Sequence, residues 1–174
     1  MRTKGHRLDM AISQDFNPFA NQAVHVPKAY HEDLNHYSTT FGSADGGAKN
    51  PEESPFKRYV DFWLLAAAIG ASEEQFMAVH STERHEFITG VVFQRDLATI
   101  EFLFLLAIAH SGDPFVVQDP RQVLNIAEGY AAAGIPLVKE MMETGHLPAL
   151  QNLTRSLIKS LSGSDGEYSA TDNQ

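Results

Sequence analysis

Two stretches of this chain predict helices that are apolar on nearly every side. The first covers residues 55–70 and contains Phe62-Trp63, followed by leucine, alanine and isoleucine. The second covers residues 96–110 and contains Leu105. A helix without a polar face cannot keep one side in water, so it must be covered by other helices or by another subunit. The two stretches therefore predict helix-on-helix packing.

Capping residues and prolines predict three more helices towards the C-terminus. Asp119 caps a helix expected at residues 121–133, and Gly134 is expected to interrupt it. Further helices are expected at residues 135–144 and 147–161, because each stretch has a proline in its first turn. Most of the chain after residue 54 is thus predicted to be helical.

One part of the chain predicts β-structure. Residues 85–93 are rich in β-branched and aromatic side chains, which favours a strand or hairpin with its bend at Gly90. Residues 24–27 predict a short extended piece, and residues 29–37 a short helix. The predicted fold class is therefore mainly α, a compact single-domain helical fold of about five helices with at most one small β-hairpin.

Three segments predict little regular structure. Residues 1–22 predict a flexible N-terminal segment, and residues 162–174, rich in serine and glycine, predict a disordered tail. Glycine, proline and small polar residues at 42–54 predict a linker inside a helical domain of residues 23–161.

The charge of the chain is unevenly distributed. The net charge is -9, from 13 Lys+Arg and 22 Asp+Glu. Residues 1–49 contain as many basic as acidic side chains, so the whole excess lies after them. Tight binding to nucleic-acid phosphates needs clustered Lys and Arg. The acidic body therefore argues against a nonspecific DNA-binding protein.

The chain contains no cysteine, which excludes disulfides and thiolate chemistry and fits a reducing compartment. No apolar run follows Met1 as a signal peptide would require. The best candidate for a spanning helix, residues 102–109, is shorter than the roughly 18 apolar residues that such a helix needs. We expect a soluble cytoplasmic protein with no membrane partner.

No motif in the chain predicts a metal site, a cofactor site or a nucleotide site. His80 and His85 are five residues apart, so one helix would direct them away from each other rather than to one metal ion. The chain contains no G-x-S-x-G, no Walker loop and no G-x-G-x-x-G. We therefore predict no metal, no cofactor and no catalytic residues.

Four residues of the apolar helices are candidates for a subunit interface. Glu101 shares its predicted helix face with leucine and phenylalanine, so it is either paired when buried or part of a surface that another subunit covers. Phe62 and Trp63 are more often core residues, although aromatic residues at an interface have the same pattern. With Leu105 they form the predicted interface set.

A helix–turn–helix-like unit at residues 135–161 predicts an alternative, DNA-contacting surface. On its second helix, Arg155 and Lys159 stand one turn apart and suit phosphates, while Gln151 and Asn152 suit base edges. A plain αα-hairpin with a polar outer face has the same pattern.

Several motifs in a fixed order resemble a known family. They are Pro55-Phe56, Asp61, the Ala-Ala-Ala-Ile-Gly run at 66–70, Asp96, the Leu-Leu-Ala-Ile-Ala run at 105–109, and residues 126–135 with Glu128-Gly129-Tyr130-Ala131. Over residues 55–142 the chain resembles dnd system-associated protein 4, encoded beside bacterial DNA phosphorothioation systems. The resemblance implies a setting in DNA modification, restriction or anti-phage defence, with a nuclease or ATPase as a partner.

Three functional hypotheses follow. The favoured one is a non-enzymatic accessory or assembly protein of such a system, which docks to other protein subunits or to itself. The alternative is a DNA-binding regulatory module that uses residues 135–161. An enzyme of an unrecognised type would have to use Glu101, His85 and His110 as its acid–base set, since no other set stands out.

Overall fold

A computed structural model describes residues 16–40 and 48–164 of the chain. Over these residues it contains two strands and five α-helices, which confirms the mainly α fold class. The elements are β1 (Ala23–Pro27), α1 (His31–Tyr37), α2 (Tyr59–Ser72), β2 (Arg84–Thr89), α3 (Leu97–Ser111), α4 (Pro120–Glu143) and α5 (Ala149–Ser164). Most of the predicted N-terminal segment and tail, and part of the predicted linker, lie outside the described residues.

Helix α4 is the central element, and α2 packs along it while α3 and α5 contact it. It is one continuous helix of 24 residues, so the predicted interruption at Gly134 is wrong. Gly134 serves helix packing instead, because a Cβ there would lie 1.8 Å from the Ala66 carbonyl oxygen. A Cβ on Gly70 would likewise lie 2.2 Å from the Tyr130 carbonyl oxygen. Glycine and alanine thus bring the two backbones into close contact.

Helix α2 begins later than predicted. The Ser54 hydroxyl does not cap it but donates to the His36 carbonyl at 2.7 Å. The start is at Tyr59, where the Asp61 carboxylate accepts from the Arg58 backbone N–H at 3.0 Å and from the Arg58 guanidinium. Asp61 thereby satisfies the Arg58 N–H, a donor at the helix N-terminus that has no partner within the helix.

The predicted strand is confirmed as β2, and its partner is β1 from the N-terminal part of the chain, antiparallel to it. Gly90 therefore makes no bend between two strands; it opens a 3-10 turn and donates to the Gln22 carbonyl at 2.8 Å. The turn packs on Phe19, which is fully buried although it belongs to the segment predicted to be flexible. Phe19 thus joins the N-terminal chain to the core.

The core lies between α2, α4 and the inner face of α3. Phe62 and Trp63 are both 0% exposed, so their assignment to an interface is wrong. They pack against other aromatic rings of this chain, including Phe56 and Phe93. No helix among the described residues is long and apolar enough to cross a membrane.

Candidate functional site

The outer face of α3 is exposed and almost wholly apolar. Ala98, Glu101, Leu105 and Ala109 are exposed, and Phe102 is half-buried between them. Leu105 is 66% exposed, in contrast to Leu103 on the inner face, which is fully buried. We call Ala98, Glu101, Phe102, Leu105 and Ala109 the α3 surface. A large apolar side chain so exposed within an apolar patch marks an interaction site more often than a lone surface leucine does.

A groove lies beside the α3 surface, between α3 and α2. Its α2 wall is formed by Leu64, Leu65 and Ala68, and its α3 wall by Ala98, Thr99 and Phe102. Its volume is about 340 Å³. The groove exists because α2 and α3 both pack on α4 and have few contacts with each other. It extends the apolar area of the α3 surface onto a second helix.

Glu101 is the single Lys, Arg, Asp or Glu of α3. It is exposed and forms no ion pair with another described residue. Two cations of the chain are engaged elsewhere: Arg58 pairs with Asp61, and Arg84 lies beside Glu128. Of the two predicted possibilities for Glu101, a buried pair is therefore wrong.

The outer face of α5 is a second exposed surface. Gln151, Arg155 and Lys159 are exposed there, and Ile158 is 59% exposed. A shallow groove of about 490 Å³ is lined by Leu147, Leu150, Gln151, Thr154, Arg155 and Ile158. Helix α5 contains no Asp or Glu, so its two cations stand without a carboxylate on the same helix.

Asn152 does not belong to this exposed face. It is 5% exposed, and its Nδ2 donates to the Met142 carbonyl at 2.9 Å and to the Leu147 carbonyl at 2.7 Å. Those carbonyls end α4 and form the turn into α5, so Asn152 fixes the angle between the two helices. In the sequence Asn152 lies three residues after Ala149, on the same helix face, but the residue types do not distinguish this role from a base contact.

A buried ionic cluster was missed by sequence reasoning. Glu128 is 2% exposed on α4, and its Oε1 accepts from the His25 backbone N–H at 3.0 Å and from Arg121 Nη2 at 2.5 Å. Arg121 and Arg84 both donate to Asn125 Oδ1 at 3.1 Å. A buried carboxylate is tolerated only when it is paired. The cluster fastens β1 and β2 to α4.

The three residues of the hypothetical acid–base set do not converge. His85 lies against His31, with ring centroids 4.0 Å apart, next to β1. His110 Nδ1 is 3.0 Å from the Tyr130 hydroxyl oxygen, on the opposite side of α3 from Glu101. Among the residues that the structure describes, no three His, Asp or Glu side chains are grouped as metal ligands would be.

A family model, described as DNA sulphur modification system-associated protein 4, matches residues 47–172, well over half of the chain. The chain belongs to this family. The match confirms the resemblance seen in the sequence, and it links the protein to DNA sulphur modification systems. The description names an association with a system rather than a reaction, in agreement with an accessory protein. No curated protein and no solved structure matches the chain.

The motifs that carry the resemblance lie mainly in the core. Residues 66–70 and 128–131 meet where α2 crosses α4, at Gly70 and the Tyr130 carbonyl. A Cβ on Gly129 would lie 2.2 Å from the Phe76 ring, so this position also serves close packing. These motifs therefore account mainly for the packing of the fold, whereas the 105–109 run also contributes Leu105 and Ala109 to the exposed α3 surface.

Proposed function

We propose that this protein is a non-enzymatic accessory subunit of a DNA sulphur modification system and that it acts by docking to another protein. The family supplies the setting. The observation that carries the docking mechanism is the α3 surface, where Leu105 is exposed at the centre of an apolar helix face. Contact between water and this apolar face is unfavourable in free energy. A partner that covers the face removes this contact and so gains binding free energy.

The size of the expected contribution supports the proposal. Burial of a whole leucine side chain is worth about 1.5–3 kcal/mol, and most of Leu105 remains to be buried. Phe102 and the leucines of the groove wall add half-buried area beside it. Protein interfaces commonly have an apolar centre of this kind, in which charged residues are depleted.

The test is co-expression of this protein, carrying an affinity tag, with the nuclease and ATPase components of the same system. We expect at least one component to co-purify with the wild type and to be lost with Leu105→Glu, since the substitution places a charge in the apolar centre. The matched control is Ile158→Glu, a similarly exposed apolar position on α5.

Circular dichroism of both variants confirms that they fold, because neither side chain is part of the core. Co-purification that survives Leu105→Glu, or the absence of any stoichiometric component with the wild type, contradicts the docking role. If co-purification is lost with Ile158→Glu but not with Leu105→Glu, the interface lies on α5 rather than on α3.

DNA binding through α5 is a second candidate, favoured by the two exposed cations on a helix without carboxylates. Gln151, Arg155 and Lys159 are exposed on α5, where DNA can reach them. The side chain of Asn152 is already hydrogen-bonded to the carbonyls of the turn between α4 and α5. Two phosphate contacts predict a slope of about -2 for log K against log salt. Arg155→Ala with Lys159→Ala should abolish a shift of duplex DNA; binding that persists in this variant excludes α5 as the DNA contact.

A further inference from the structure

The spacing of the α3 surface specifies the shape of its partner. Ala98, Phe102, Leu105 and Ala109 follow one another at intervals of four, three and four residues. This alternation is the a/d pattern with which one helix packs along another. All four are exposed or half-buried, so the seam faces away from α4. It is about 16 Å long, at 1.5 Å per residue.

The groove between α2 and α3 continues this seam. Leu64, Leu65 and Ala68 stand opposite Ala98 and Phe102, so a rod laid along the seam would touch both helices. Two helices that flank a cleft offer ridges and grooves to a third helix, and a helix in an apolar groove is a recurrent mode of recognition. The small Ala98 and Ala109 at the two ends permit close approach of a backbone.

The charges around the seam specify the flanks of the partner. Helices α2 and α3 contain no Lys or Arg, and their two carboxylates are Asp61 and Glu101. Asp61 is paired with Arg58, whereas Glu101 has no ion-pair partner among the described residues. In heptad notation Phe102 of the seam is at an a position. Glu101 directly precedes it and is therefore at the neighbouring g position. Residues at g pair with charges on the facing helix.

Resting on the proposed docking function, we infer that the α3 surface receives an amphipathic α-helix of a partner protein, whose apolar stripe carries a Lys or Arg beside it to pair with Glu101. The net charge of this chain, -9, likewise favours a partner segment that is basic. A second copy of this chain is a poorer occupant, because its own α3 would set Glu101 near an identical carboxylate or against apolar residues.

Site-specific photo-crosslinking in the co-expressed complex tests this inference. Leu105→benzoylphenylalanine is irradiated, and the crosslinked peptide is identified by mass spectrometry; Ile158→benzoylphenylalanine is the control position. We expect a peptide of another subunit with apolar residues three and four apart and a Lys or Arg beside them. A crosslink to a second copy of this chain, to a segment with strand-like alternation, or none in a complex that still co-purifies, overturns the inference. If no complex co-purifies, the proposed function fails instead.

Charge exchange supplies an independent readout, with a synthetic peptide of the crosslinked segment as the probe. Glu101→Lys should weaken peptide binding about tenfold and Glu101→Gln about threefold, and the wild-type affinity should fall with salt more steeply than that of Glu101→Gln. A peptide with its basic residue changed to glutamate should bind Glu101→Lys better than it binds the wild type. Equal affinity of all three proteins at low salt overturns the pairing with Glu101.

Discussion

Helices α2 and α3 have the same kind of sequence but different surroundings. Both are apolar around most of their circumference, and each contains a single carboxylate. Yet α2 buries Phe62 and Trp63 completely, whereas α3 leaves Leu105 mostly in contact with solvent. The difference shows that an apolar helix can be covered by its own chain or left exposed to solvent, and composition alone does not tell which.

Small residues explain why α2 is the covered helix. Ala66 and Gly70 allow the α4 backbone to approach, and Gly134 lies opposite them on α4. The α3 helix contains no glycine and contacts α4 over a smaller area. Its alanines at 98 and 109 face outward. Small side chains therefore lie on the outer face of α3 as well as on its inner face, where Ala107 is buried.

The largest effect should come from removal of a buried ring on α2. Trp63→Ala should lower the free energy of unfolding by about 4 kcal/mol, because it leaves a cavity in the core. The paired change on α3, Leu105→Ala, should alter it by less than about 0.5 kcal/mol. Urea denaturation followed by circular dichroism measures both. Similar losses for the two variants would mean that α3 is covered as α2 is, and would break the contrast.

A smaller effect should come from the helix crossing itself. Gly134→Ala places a methyl group against the Ala66 carbonyl and should cost about 2 kcal/mol, despite the better helix propensity of alanine. Enlargement of an outward-facing position by Ala98→Leu should leave the melting temperature nearly unchanged. A Gly134→Ala protein as stable as the wild type would show that the α2–α4 contact is looser than its geometry implies.

The smallest expected effect is a change of stability with pH, and it comes from His31, which is not on α3. Burial, and then the charge of His85, lowers the pKa of His31 below its usual 6.5, while Glu32 opposes the shift. The folded protein thus binds this proton less readily than the unfolded chain, so stability should be lost as pH falls below 6.5. His31→Gln should flatten this part of the stability profile, whereas Leu105→Ala should not. A profile that is unchanged in His31→Gln assigns the acid sensitivity to another group.

Much of the fold was predictable from local signals, and the errors have identifiable causes. Asp119 caps α4 as predicted, and Asp96 caps α3 in the same way, since a capping side chain acts within its own turn. Gly134 was misread because its role depends on Ala66, which is distant in the sequence. The partner of β2 was missed for the same reason, because strand pairing across a long intervening segment leaves no local pattern.

The candidate site was predictable only in part. The sequence predicted Glu101 and Leu105 as interface residues of an apolar helix; the structure places both on its exposed side, and their role in an interface stays a prediction. Phe62 and Trp63 have the same local pattern, so their burial could not be read from α2 alone. The structural role of the Asn152 side chain could not be predicted from the sequence, because an amide binds a base edge and a backbone carbonyl at a helix end equally well.

Hydroxyl-radical footprinting of Leu105 tests the central claim most directly. The oxidation rate of this side chain is measured by mass spectrometry in the isolated protein and in the complex with the co-purifying subunit, with Ile158 as the internal reference. We expect the oxidation rate of Leu105 to fall strongly on complex formation and that of Ile158 to change little. An unchanged rate at Leu105 in a fully formed complex would contradict the assignment of α3 as the docking helix.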